Sequence, residues 1–181
     1  METKITEEQR LVNIRQKKDA LDNYETPDIA VKELLKYETF QGTGWEPACG
    51  NGAISKFFPD IYSSDIRIDN TVIGDTGIDF LMTLKNVDYI ITNPPYSKAI
   101  EFAKHSIECA NKVALLLRLQ FLESKERYLF FKDYPPRTVY VFSKRITCNK
   151  KNKIICFAWY IWEKNFKGDT IIKWIFPEDE V

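Results

Sequence analysis

A chain of 181 residues with 44% hydrophobic and 14% aromatic content can bury one substantial core, which excludes a disordered chain and leaves little room for a second domain. Its 26 basic and 26 acidic side chains cancel, so no global field draws it onto polyanions, and such binding must come from a local patch. Cys49, Cys109, Cys148 and Cys156 make no C-x-x-C pair and no cluster with His105, which argues against a zinc site or disulfide framework and for a reducing cytoplasm.

Residues 1–23 are densely charged, with sparse apolar positions at Ile5, Leu11, Val12, Ile14 and Leu21. Thr6 ahead of Glu7 and Glu8 suits a helix start, so a helical arm is expected before a single domain over 24–181. The charged amino terminus and the lack of an apolar run near ~20 residues predict neither a signal peptide nor a membrane span. Thr26-Pro27-Asp28 opens a helix with Ile29, Val31, Leu34 and Leu35 able to share a face. A short strand over 44–48 leads into Cys49-Gly50-Asn51-Gly52, and Ile54, Phe57 and Phe58 predict a helix that stops at Pro59. A second strand ends in Ser63-Ser64-Asp65, and a loop reaches Asp79-Phe80 before a short helix over 81–85.

The apolar run Val87–Thr92 predicts a strand, cut off by Asn93-Pro94-Pro95-Tyr96. Proline fixes φ and lacks an N–H, so the strand ends in a rigid corner presenting an amide oxygen, carbonyls and a π-face together. A helix over 98–110, a strand over 113–119 and a helix over 124–131 follow. Thr138–Phe142 and 154–162 are β-rich, and 170–176 supplies an edge strand. His105 is expected as an ordinary helix-surface residue, and Trp159, Trp162 and Trp174 as core or sheet residues. Alternating strands and helices, closed by adjacent strands, predict a mostly parallel α/β sheet with an antiparallel end.

Open α/β sheets bind ligands at the carboxyl ends of their strands. Gly50 and Gly52 permit close backbone approach, Asp65 can hold paired hydroxyls, and Asp79-Phe80 joins an acceptor to a ring. Each has a structural alternative: a tight turn, a helix cap, or a cap beside a core Phe. The signals recur about 13 to 15 residues apart through Gly52, Asp65, Asp79 and Asn93, which together describe a nucleoside pocket beside an amine-gripping corner.

Thr26-Pro27, the run Glu46-Pro47-Ala48-Cys49-Gly50-Asn51-Gly52, Asp65, Asp79-Phe80 and Asn93-Pro94-Pro95-Tyr96 resemble the amino-methyltransferases that use S-adenosyl-L-methionine. Their order resembles the γ arrangement of DNA adenine-N6 methyltransferases, and 117–122 with 157–162 looks like the small bacteriophage-type members. The resemblance spans about 24–165 and implies a Rossmann-like, mostly parallel seven-stranded sheet with an antiparallel terminal strand and helices on both faces. It implies that Tyr24, Thr26 and Pro27 line the methionine end of the cofactor. Glu46, Pro47, Ala48, Gly50 and Gly52 would form the cofactor loop, Asp65 would hold the ribose, and Ile66 would cover one adenine face. Asp79 and Phe80 would bind the adenine, Asn93 and the Pro94 carbonyl would grip the target amine, and Tyr96 would stack on the target base. No metal is implied.

The implied activity is methyl transfer to a base amine, with adenine N6 in DNA favoured over RNA; a glutamine amide or a non-catalytic cofactor-binding module are the alternatives. Lys144, Arg145, Lys150, Lys151 and Lys153 make an acid-free basic segment suited to phosphate, with a solvated hairpin tip as its alternative. Only 85 residues follow Tyr96, so a separate target-recognition domain is not expected, and a homodimer mate or partner protein could supply recognition. The expected setting is the cytoplasm of a bacterial or phage-infected cell.

Overall fold

The computed structural model describes residues 25–146, 148 and 155–178; the expected helical arm over 1–23 lies outside these. In chain order the elements are α1 (Asp28–Leu35), β1 (Gly44–Glu46), β2 (Tyr62–Asp65), β3 (Asp75–Thr76), β4 (Val87–Thr92), α2 (Ala99–Cys109), β5 (Ala110–Arg118), α3 (Lys125–Asp133), β6 (Thr138–Phe142), β7 (Phe157–Glu163) and β8 (Ile171–Ile175). Short 3₁₀ turns occupy Ser55–Phe57, Phe80–Met82, Tyr96–Lys98 and Leu119–Leu122. The helices expected around Ile54 and after Phe80 are thus single 3₁₀ turns.

The described strands form one sheet of eight in the order β3-β2-β1-β4-β5-β7-β6-β8. β7 alone runs antiparallel to its neighbours β5 and β6, and β8 pairs in parallel with β6. The mostly parallel sheet agrees with expectation, and β8 is the expected edge strand over 170–176, with two differences: the antiparallel strand lies inside the sheet, and the two-residue β3 adds an eighth strand at the opposite edge. β7 inserts between β5 and β6, which leaves β8 at the edge.

Period-two alternation divides the core between the faces. Ile90, Val113, Leu115, Leu117, Ala158 and Tyr160 pack with Ala99, Phe102 and Ala103 of α2 on one face. Tyr89, Ile91, Ala114, Leu116, Trp159 and Ile161 pack with Ala30, Val31 and Leu34 of α1 on the other. Burying each large apolar side chain contributes about 1.5–3 kcal/mol. The Trp159 indole also donates to the Ala30 carbonyl at 2.8 Å, tying α1 to the sheet.

Trp159 and Trp162 are core residues, whereas Trp174 on the edge strand is 71% exposed. His105 differs from expectation: it is half-buried, donates from Nε2 to the Thr83 carbonyl at 2.9 Å, and packs edge-on against Phe80. A polar knot pins the amino-terminal rim of β5 and β6. There the buried Glu38 carboxylate accepts from Arg137 at 2.6 and 2.7 Å, from Lys112 at 2.6 Å and from the Tyr140 hydroxyl. No helix among the described residues is long and apolar enough to cross a membrane.

Candidate active site

The carboxyl ends of β1, β2, β4 and β5 converge on one rim. Beyond β1, the Cys49 N–H donates to the Ser64 carbonyl at 3.0 Å and lays the glycine loop on β2. Gly50 and Gly52 hold φ of +53° and +76°, where L side chains are strained. A Cβ on Gly52 would also sit 2.1 Å from Ile73 Cδ1. The buried Asp65 carboxylate closes this loop by accepting the Gly50 N–H at 2.9 Å. Its other oxygen takes the Arg67 N–H at 2.9 Å, and the Arg67 guanidinium reaches the two oxygens at 3.2 and 3.3 Å. Arg67 was not among the expected site residues; a basic residue two positions beyond a strand-end acid was the available signal. Ile66, 59% exposed, stands beside the acid.

Glu46, the last residue of β1, is buried with only 2% exposure. Burial pushes its carboxyl up to about 8; hydrogen bonds from Ser55 oppose that rise and the charge of Asp65 adds to it. Ser55 Oγ donates to Glu46 Oε2 and lies 2.8 Å from Ser63 Oγ, so a serine pair lines the carboxyl. Neither serine is legible as a site residue in sequence. Pro47 is buried and Ala48 half-buried at the mouth of the loop.

The Asp79-Phe80 pair separates into two roles. Asp79 Oδ1 accepts the Leu81 N–H at 3.0 Å and caps the Phe80–Met82 turn. The Phe80 ring is 2% exposed and wedged among Trp45, Phe102 and His105, with centroids 4.7–4.9 Å away. The expectation of a ring laid on adenine is corrected for this side chain: the core, with its larger apolar contact, claims it.

At the corner, Asn93 Nδ2 donates to Thr26 Oγ1 at 3.1 Å, joining residues 67 positions apart. The Tyr96 hydroxyl donates to Asn93 Oδ1 at 2.9 Å, so partners on both sides orient the amide. Thr26 and Pro94 are buried, while Pro27 caps α1 at an extended φ/ψ and Pro95 accepts the Lys98 N–H at 2.9 Å. The Tyr96 ring lies 5.8 Å from Phe157, and the Arg118 guanidinium stands 4.6 Å from its centroid. A cavity of about 100 Å³ opens beside it, lined by Tyr96, Arg118, Phe121 and Arg127 among others. Arg118 and Phe157 were missed because cross-strand neighbours depend on register. Tyr24 lies outside the described residues.

Asn51 Nδ2 donates to Glu25 Oε1 at 2.8 Å and links the glycine loop to the segment before α1. Thr26, Glu46, Gly50, Asp65 and Asn93 therefore share one rim. Lys144 and Arg145 follow the carboxyl end of β6, with Ile146 buried beyond them. Lys150, Lys151 and Lys153 lie outside the described residues.

No protein-family model and no curated protein matches this sequence. Solved structures do match. The methyltransferase subunit of a type I restriction-modification system from Streptococcus thermophilus aligns with TM-score 0.59 and 14% identity, over 85% of this chain and 47% of that one. The M protein of the type I restriction enzyme EcoKI aligns with TM-score 0.61 and 14% identity, over 80% of this chain and 44% of that one. Magnesium protoporphyrin IX methyltransferase from Synechocystis PCC 6803, solved with bound S-adenosylmethionine, aligns with TM-score 0.51 and 11% identity, over 91% and 87%. The chain spans less than half the length of the two restriction-modification proteins. Sheet order, topology and these alignments together give the chain the Rossmann-like fold of the class I methyltransferases.

Proposed function

We propose that the chain is an S-adenosyl-L-methionine-dependent N-methyltransferase of base amines, with adenine N6 in DNA as the favoured target. The observation that carries this reading is the Thr26–Asn93–Tyr96 hydrogen-bond chain, set on the same rim as the Gly50–Asp65 loop. The restriction-modification proteins among the similar structures support DNA as the substrate.

The residues fit the cofactor by their chemistry. Asp65 is a buried acceptor whose longest contacts, at 3.2 and 3.3 Å, go to the Arg67 side chain, the partner most readily exchanged for ribose hydroxyls. Exposed Ile66 offers an apolar surface beside it. A cationic α-amine near Glu46 would favour the ionised carboxyl that burial disfavours. Asp79, already a cap, retains acceptor capacity toward an adenine amine. When bound, S-adenosyl-L-methionine supplies an electrophilic methyl group on a sulfonium centre.

The chain's own residues then act on the target. An aromatic amine is a poor nucleophile because its lone pair is delocalised into the ring. Asn93 Oδ1 and the Pro94 carbonyl accept hydrogen bonds from its N–H groups, which favours a pyramidal nitrogen and frees the lone pair. Thr26 and Tyr96 fix the direction in which that amide faces. Tyr96 supplies the ring against which the base is held. The contribution is positioning and electrostatics, without a covalent enzyme intermediate. A target inside a duplex must be rotated out of the stack to reach this corner.

The test is a tritiated-methyl transfer screen over duplex DNA, single-stranded DNA, RNA and protein extract, followed by nucleoside analysis. N6-methyladenine in DNA is expected. Label confined to protein, or no heat on titrating concentrated protein with S-adenosyl-L-methionine, overturns the reading.

A further inference from the structure

Arg118 ends β5, and its backbone is held on three sides. It is registered against Phe157 in the antiparallel β5–β7 ladder. Its carbonyl accepts the Tyr160 hydroxyl at 3.3 Å, and the next amide, Leu119 N–H, donates to the Cys156 carbonyl at 2.8 Å. The side chain runs from this pinned base to the Tyr96 ring, with the guanidinium carbon 4.6 Å from the centroid. Phe157, its cross-strand partner, flanks the same tyrosine at 5.8 Å. The cavity beside them is lined by two arginines. Arg127 is committed to the loop, since its Nη1 donates to the carbonyls of Gln120 and Glu123 at 2.8 and 3.2 Å. Arg118 is the cation that faces the ring.

A guanidinium is planar and always charged. It stacks on aromatic faces, and it pairs with phosphate through two parallel N–H donors. The phosphate pairing is the stronger of the two, so a phosphate brought to the cavity draws the group away from the ring. A stacked base and a stacked guanidinium also compete for the same aromatic surface.

We propose that Arg118 is a positioning residue that covers Tyr96 until a substrate phosphate draws it off, so that the corner opens to a base carried on a phosphate backbone and stays covered to a free nucleoside. This rests on the N-methyltransferase reading above and extends it, because it makes the polymer backbone a requirement for entry.

The test compares the unaltered protein with Arg118→Met and Arg118→Lys in two assays. In the first, binding of a short single-stranded DNA is followed by fluorescence anisotropy over a salt series. Arg118→Met lowers the slope of log K against log salt by about 0.7, one phosphate's share on a single strand, and Arg118→Lys preserves it. In the second, methyl transfer to that DNA is compared with transfer to deoxyadenosine. Arg118→Met lowers kcat/KM on the DNA by about ten-fold, the loss of one charge-assisted hydrogen bond, and raises it on the nucleoside, whose access to the Tyr96 ring the guanidinium no longer blocks. Arg118→Lys also lowers the DNA-to-nucleoside ratio, because it keeps the charge and loses the planar stack, and this variant decides the matter if the methionine variant melts. An unchanged salt slope, or equal losses on both substrates, overturns the proposal. Binding needs no turnover. A slope that falls in a protein that methylates nothing therefore keeps the phosphate contact and overturns the methyltransferase reading, and absence of DNA binding overturns the proposal itself.

Discussion

Glu46→Gln isolates the physics of the buried carboxyl. Burial raises Glu46 from the ordinary value of 4.5 to about 8, so the folded protein holds a neutral carboxyl across a pH range where the unfolded chain releases its proton. The stability this group contributes is fully present below about 4.5 and is lost as pH rises toward about 8. The slope is about 1.4 kcal/mol per pH unit, so between about pH 6 and about pH 8 the protein gives up on the order of 2–3 kcal/mol through this group. Gln matches the neutral carboxyl in shape and still offers an oxygen to the Ser55 hydroxyl, the donor that Glu46 now uses. Urea denaturation of both proteins across this range measures the difference. Relative to the unaltered protein, Glu46→Gln should gain about 2 kcal/mol or more in stability from the acid to the alkaline end of this range. It should also bind S-adenosyl-L-methionine more weakly, because the amide cannot ionise against the ligand's amine. Parallel stability curves would refute the assignment of a neutral, buried Glu46.

Asn93→Ala should abolish methyl transfer while largely sparing cofactor affinity, checked by single-turnover transfer beside calorimetry; near-normal turnover would remove Asn93 from the amine-gripping role. Asp65→Ala should weaken cofactor binding first and cost about 1–3 kcal/mol of stability, since it strands the Gly50 N–H that the carboxylate now accepts; unchanged affinity would place the ribose elsewhere. Glu38→Gln should destabilise by about 2 kcal/mol or more at neutral pH, because Lys112 and Arg137 lose their shared counter-charge. Burial opposes the Glu38 charge, but hydrogen bonds from Lys112, Tyr140 and Arg137 outweigh it and hold the carboxyl below its ordinary value of 4.5. Its contribution is therefore present above about 4.5 and lost as pH falls through the lowered value, so thermal melts of the two proteins should converge in acid.

Local chemistry determined much of this protein. The near-continuous apolar runs of β4 and β5, which mark strands buried on both faces, are written in the side chains, and so is the stop imposed by Pro94 and Pro95. Both act over a few residues, where sterics and burial leave little choice. The approach of Thr26 to Asn93 had no such local signal, and only the shared motif pattern pointed to it.

Tertiary structure decided what depends on register and on competition for burial. The β5–β7 ladder set Arg118 opposite Phe157 and so placed a cation and a ring beside Tyr96. Packing drew Phe80 into the core, because an aromatic ring gains more against Trp45 and Phe102 than at a half-exposed rim. The fold also brought Arg67 onto Asp65 and enclosed Glu46 beside Ser55 and Ser63. The sequence by itself determined which groups reach the carboxyl rim of the sheet. Only the three-dimensional chain decided which of them face a ligand, because a side chain's partners come from strands far away in sequence.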